Sequence, residues 1–163
     1  MDRAVTRPDA PIWDDAPAGY RRAEIVTTIG HGDEAFRRAA HDVLRWAVKT
    51  RSGFVVSTRE PVAPGQRLTV TATVAGVTVR EPVEVVEVAR TADRSGFSYR
   101  TLPGHPVSGE EAFIVHRDGD DVLLTIRSLT RPAPSGFWRL AFPALLVAQR
   151  VAHRRYARAL RED

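Results

Sequence analysis

Ala141-Phe142-Pro143-Ala144-Leu145-Leu146-Val147-Ala148-Gln149-Arg150-Val151-Ala152-His153-Arg154-Arg155-Tyr156-Ala157-Arg158-Ala159 is the stretch whose reading decides the fold. Ala141, Ala144, Leu145, Ala148, Val151, Ala152, Tyr156 and Ala159 recur at helical spacing and form one apolar stripe, about five turns long. The spacing predicts that residues 135–161 hold the longest helix. Pro143 sits in its first turn or kinks a helix begun near Phe137. A stripe of that length needs a second layer to cover it.

The preceding residues supply that layer. Leu68, Val70, Ala72 and Val74 alternate with threonines, as a half-buried strand does. Phe54–Thr58 reads as a short strand before it and Val77–Ala89 as a long one after it. In the long strand the apolar phase slips between Val83, Val85 and Val86, Val88, which predicts a β-bulge near Val85-Val86. Pro82 suits an edge or a break in the ladder. Strands at 96–102, 110–116 and 122–129 follow, the last two joined by the hairpin signal Asp118-Gly119-Asp120. Strands linked by turns this short form an antiparallel meander with one face free for the helix.

Upstream, Arg22–Ile29 reads as a first strand with Ala23 and Ile25 on one face, and Gly30–Gly32 turns the chain. Asp33 then suits the N-cap of a helix that stops at Gly53. Phe36, Ala40, Val43, Leu44 and Ala47 form its buried stripe. Arg37, Arg38, His41, Asp42, Arg45 and Lys49 fill the wet side, and Trp46 lies on the flank where its N–H meets a partner. Residues 1–19 carry three of the eleven prolines and no periodicity, so they read as a flexible arm that Trp13 docks onto a single domain, residues 20–163. The expected fold is α+β: a curved seven-stranded antiparallel sheet, β-α-β6-α, wrapped on a long C-terminal helix.

Composition narrows the function classes. The chain has 163 residues, 43% of them hydrophobic, enough for a sizeable core. It has no cysteine, which excludes disulfides, thiol catalysis and a cysteine–zinc site. Met1-Asp2-Arg3-Ala4 opens no signal peptide, and the longest apolar run, Leu140–Ala148, is too short to span a bilayer. A cytoplasmic protein without a transmembrane segment is expected. The net charge of +4 lies wholly in residues 137–163, where six arginines face two acids. Of the 24 basic residues 23 are arginine, a bias typical of a GC-rich bacterial genome. One basic helix, with Tyr156 the only aromatic among its late arginines, predicts solvation and dipole complementation rather than specific nucleic-acid binding. An anionic surface or partner for that helix is the alternative.

Two further stretches carry a family resemblance: Gly30-His31-Gly32-Asp33-Glu34-Ala35-Phe36 running on to Leu44-Arg45-Trp46, and Gly96-Phe97-Ser98-Tyr99-Arg100-Thr101-Leu102-Pro103-Gly104-His105-Pro106-Val107-Ser108-Gly109-Glu110-Glu111-Ala112-Phe113. Over about residues 20–160 the chain resembles the family called domain of unknown function 1990 (UPF0548). Val107 departs from the acidic residue of that family's pattern, so no carboxylate role carries over there. The resemblance implies no named activity and no cofactor. In topology the chain is also similar to the START-like, helix-grip (SRPBCC) superfamily, which implies a hydrophobic ligand held between sheet and helix.

Within the second stretch, two prolines and a glycine frame His105 in a rigid connection between strands. The alternation of the next strand points Glu110 and Glu111 to opposite faces, so one carboxylate lies among apolar neighbours and needs a partner, with His105 the nearest in sequence. The candidate ligand-binding residues are therefore Tyr99, Thr101, His105, Glu110 and Glu111, in a sheet–helix cavity that takes a small hydrophobic or amphipathic molecule. An enzyme using His105 with one glutamate as acid and base is a second reading. A carboxylate that merely ties down N–H groups or pairs with Arg100 or Arg127 is the structural one. His31, His105 and His116 lack metal-site spacing, and Ser108-Gly109 lacks the preceding glycine of a nucleophile elbow.

Overall fold

The computed structural model describes residues 3–14 and 16–162. The strands are β1 (Arg21–His31), β2 (Val55–Val56), β3 (Arg67–Val74), β4 (Val77–Arg90), β5 (Arg94–Thr101), β6 (Val107–Asp118) and β7 (Asp121–Pro132). The helices are α1 (Gly32–Val43), α2 (Ala47–Thr50), α3 (Phe137–Leu140) and α4 (Phe142–Ala159). All seven strands form one antiparallel sheet in the order β1-β7-β6-β5-β4-β3-β2. β1 and β2 are the two edges, so the α1–α2 connection crosses the full width of one face. α4, the longest helix, lies on that same inner face against β7, β1 and α2. The bulge expected in β4 is there: Val85 pairs with Tyr99 and Glu87 with Ser98, leaving Val86 as the extra residue. Val83, Val85 and Val88 thereby reach the core together.

The core centres on Trp46, whose ring lies 4.7 Å from Phe97 and 5.4 Å from Tyr99, with Phe113 and Tyr156 completing the aromatic group. Trp46 also corrects the expected continuous helix. Its backbone is left-handed, φ 64°, so the helix breaks after Val43 and restarts as α2 at Ala47. A bulky residue in that region costs about 1–3 kcal/mol, and burial of the indole holds it there. The break resets the helical phase, and Lys49, expected on the wet side, is buried instead. The Trp46 N–H finds no acceptor among the described residues. The helix start differs too: His31 is the extended N-cap residue, while Asp33 lies in the first turn and pairs with Arg117 at 2.6 Å.

The C-terminal stripe needs a second correction. Ala141 separates α3 from α4, and only His153 and Tyr156 are buried in α4. Ala144, Ala148 and Val151 are exposed, because the first turns of α4 stand off the sheet over a cavity rather than packing on it. On the opposite face of the sheet lies the N-terminal arm. Trp13 is buried, as are Ala4 and Thr6. Arg127 donates to the Thr6 and Arg7 carbonyls, and Arg94 to those of Pro8 and Ala10 at 2.7 Å each.

Candidate functional site

Three layers of local structure converge on the cavity. β5 and β6 pair Tyr99 with Glu111, and the parity that sends Phe97 and Phe113 into the core sends these two inward as well. α2, turned by the Trp46 break, brings Lys49 beneath them. The second half of α4 brings His153 and Tyr156 from above. Tyr99 Oη donates to Glu111 Oε1 at 2.5 Å, and His153 Nε2 donates to Glu111 Oε2 at 3.1 Å. Lys49 Nζ lies 3.6 Å from Glu111 Oε1 and donates to Tyr156 Oη at 2.6 Å. The same ammonium stands over the rings of Phe54, Tyr156 and Tyr99 at 4.5, 4.9 and 5.3 Å.

These contacts set the charges. Burial alone pushes the Glu111 carboxyl up, but the Lys49 charge and the bonds from His153 and Tyr99 outweigh it and hold the pKa near about 2. Burial likewise opposes the Lys49 charge, yet Tyr156, Tyr99 and Glu111 keep its pKa well above the usual lysine value. Burial raises both phenols, so they stay protonated, Tyr99 donating to Glu111 and Tyr156 accepting from Lys49. The inner end of the cavity thus holds a neutralised ion pair whose carboxylate is saturated by donors.

A second polar pair sits apart from the first. In the loop Leu102–Pro106, Gly104 turns with φ 98° and the His105 N–H donates to the Leu102 carbonyl. His105 Nδ1 accepts the Val107 N–H at 3.1 Å, which leaves the proton on Nε2. Burial, then the Lys49 charge, push its pKa down to about 4, so the ring is neutral. Its Nε2 lies 4.0 Å from Glu81 Oε2 on β4. Burial raises the Glu81 carboxyl.

The cavity bounded by these groups has a volume of about 450 Å³. Its walls are Val79, Leu145, Leu146 and Ala152 with the aromatic rings, and its mouth lies where Val74 and Ala148 both line it and reach solvent. All five expected site residues border it. Glu111, Tyr99 and His105 turn their polar atoms inward, and the Thr101 hydroxyl accepts the Gly109 N–H at 3.0 Å. Glu110 does not: its carboxylate faces the opposite side and accepts the N–H and hydroxyl of Thr6 in the arm. The expected His105–glutamate pairing is also corrected, because Lys49, Tyr99 and His153 surround Glu111 first and His105 meets Glu81 instead.

Sequence reasoning missed Lys49, Glu81, His153 and the polar role of Tyr156. For Glu81 a signal existed: it shares parity with Val83 and Val85 of the core and with Val79 of the cavity wall, a charge in an apolar row. Among the described residues no group of histidines and carboxylates could hold a metal ion.

Known proteins place this geometry. The family described as "Domain of unknown function (DUF1990)" matches residues 6–159. A "UPF0548 protein" of Deinococcus radiodurans is 48% identical over 69 residues, 42% of this chain and 34% of the relative. The match thus spans about a third of the length of that curated relative. Among solved structures, the Zhui aromatase/cyclase of Streptomyces sp. R1128 is similar with a TM-score of 0.59 at 17% identity, covering 85% of this chain and 91% of that one. Ara h 8.0201 gives 0.55 at 11%, covering 85% and 96%. The hypothetical protein jhp0584 of Helicobacter pylori gives 0.57 at 11%, covering 86% and 84%. At these identities the likeness establishes the helix-grip fold alone.

Proposed function

The chain belongs to the DUF1990 family, and from that premise we propose that it binds a small hydrophobic or amphipathic molecule in the cavity between sheet and α4. One observation carries this reading: the sheet and α4 are held apart over about 450 Å³ lined mainly by apolar side chains. A space of that size suits a small molecule with a few convergent polar groups. The saturation of Glu111 favours binding over acid–base chemistry. A carboxylate with a pKa of about 2 and two donors already on it is a weak base. His105 holds its proton on Nε2 and is a donor rather than a base. Glu111, Lys49 and Tyr99 then act as a rigid, polar end wall that orients the ligand.

A second reading has its own support. Val147, Val151, Arg154 and Arg158 share the outer face of α4, Phe137 and Leu140 are exposed beside it, and no acid lies between Val122 and Arg161. Such a face suits an anionic lipid surface at the cavity mouth. No helix among the described residues is long and apolar enough to cross a membrane.

Native mass spectrometry of protein purified from its own host tests the binding reading. A retained molecule of a few hundred daltons, released on unfolding, is the expected result. The neutral dye N-phenyl-1-naphthylamine should also bind once per chain. Neither a retained molecule nor saturable dye binding would leave the proposal without support.

A further inference from the structure

We propose that Glu81 and His105 form the recognition point for a hydroxyl group on an uncharged, largely apolar ligand. This rests on the cavity being a binding site and names what that site selects.

Glu111, Lys49, Tyr99, Tyr156 and His153 bond to one another. The Glu81 carboxylate has no hydrogen bond to any described residue; its nearest polar partner is His105 Nε2, at 4.0 Å, beyond bonding distance, while the Lys49 and Glu111 charges act on it from farther off. The His105 side chain is only 9% exposed and its Nε2–H is likewise unpartnered among the described residues. Both groups border the cavity. Both atoms stay open to the cavity rather than sealed in the core, so an acceptor and a donor, each held by its backbone and without a partner among the described residues, face the space a ligand would fill.

Their spacing fits one chemistry. An oxygen placed about 2.8 Å from each atom subtends an angle of about 90° between them, which a hydroxyl meets by donating to Glu81 and accepting from His105. An ether or ketone oxygen satisfies only His105 and leaves Glu81 unpaired. A carboxylate meets a like charge at Glu81. A site built to bond a hydroxyl rejects analogues lacking it, because its own groups are then left unpaired.

The test is displacement of N-phenyl-1-naphthylamine by three compounds sharing one ring system: 2-naphthol, 2-methoxynaphthalene and 2-naphthoate. We expect 2-naphthol to bind at least about tenfold more tightly than its methyl ether, and 2-naphthoate more weakly than both. Glu81→Leu and His105→Phe should each collapse the preference for naphthol over the ether, with each displacement read against that variant's own dye affinity. Glu81→Leu should also raise the melting temperature, since it removes an unpartnered carboxylate from an apolar row. Equal affinities for naphthol and ether, or a preference that survives both substitutions, would overturn the assignment and leave the cavity reading intact. Failure of the dye and of all three compounds to bind would overturn both.

Discussion

Glu110 and Glu111 are chemically identical neighbours with separate fates, because a strand turns successive side chains to opposite faces. Glu111 enters the cavity and is held ionised by Lys49. Glu110 anchors the arm through Thr6. Lys49→Met should therefore cost about 3–5 kcal/mol in urea denaturation, because it strands the Glu111 charge. Glu110→Gln should cost no more than about 1 kcal/mol and loosen the arm, seen as faster hydrogen exchange at the Thr6 amide. The pH dependence has two parts of the same sign. Both pKa values are depressed on folding, so both groups stabilise at neutral pH and lose that contribution as pH falls. For His105 the loss runs from about 6.5 down to about 4, and for Glu111 from about 4.5 down to about 2. A His105→Phe variant should show a flatter stability curve between pH 6.5 and 4, with the steep loss below 4.5 retained. The inward or outward choice between the two glutamates was not readable from alternation alone, since alternation fixes that they differ and not which faces the core. Tyr99 would have settled it, being its cross-strand partner and sharing parity with Phe97.

At the scale of the element, α4 is half packed helix and half cavity wall. Its apolar period is plain in the sequence, yet period alone does not say whether a stripe meets side chains or empty space. Ala148 illustrates the difference. Burial would make Ala148→Asp cost several kcal/mol, but the exposed position predicts a change within about 0.5 kcal/mol. Phe113→Ala, at the fully buried centre, should cost about 3–5 kcal/mol by thermal or chemical unfolding. Gly109 in β6 supplies a sharper contrast. A Cβ there would meet the Leu129 carbonyl oxygen at 1.8 Å, so Gly109→Ala must push β6 from β7 and should lower stability by at least about 1–3 kcal/mol. The α1–α2 break escaped sequence reading for a physical reason. Trp46 gives no turn signal, and its left-handed backbone is imposed by the aromatic cluster around it.

For the molecule as a whole, strand order and helix placement follow from short connections and amphipathic faces. The meander, the β4 bulge and the Asp118–Asp121 hairpin were legible for that reason. The cavity's polar contents were legible only where one motif holds them, at Tyr99, His105 and Glu111; Lys49, Glu81 and His153 were not, because they come from three other elements and meet that motif only through the fold. The space under α4 is the proposed ligand site, and Ala148→Trp at its mouth tests this most directly. The indole is large enough to fill the entrance, and the exposed position tolerates it without unfolding. We predict that Ala148→Trp keeps the wild-type melting temperature within a few degrees and loses the single N-phenyl-1-naphthylamine site. A folded Ala148→Trp protein that binds the dye with wild-type affinity and stoichiometry would contradict the claim.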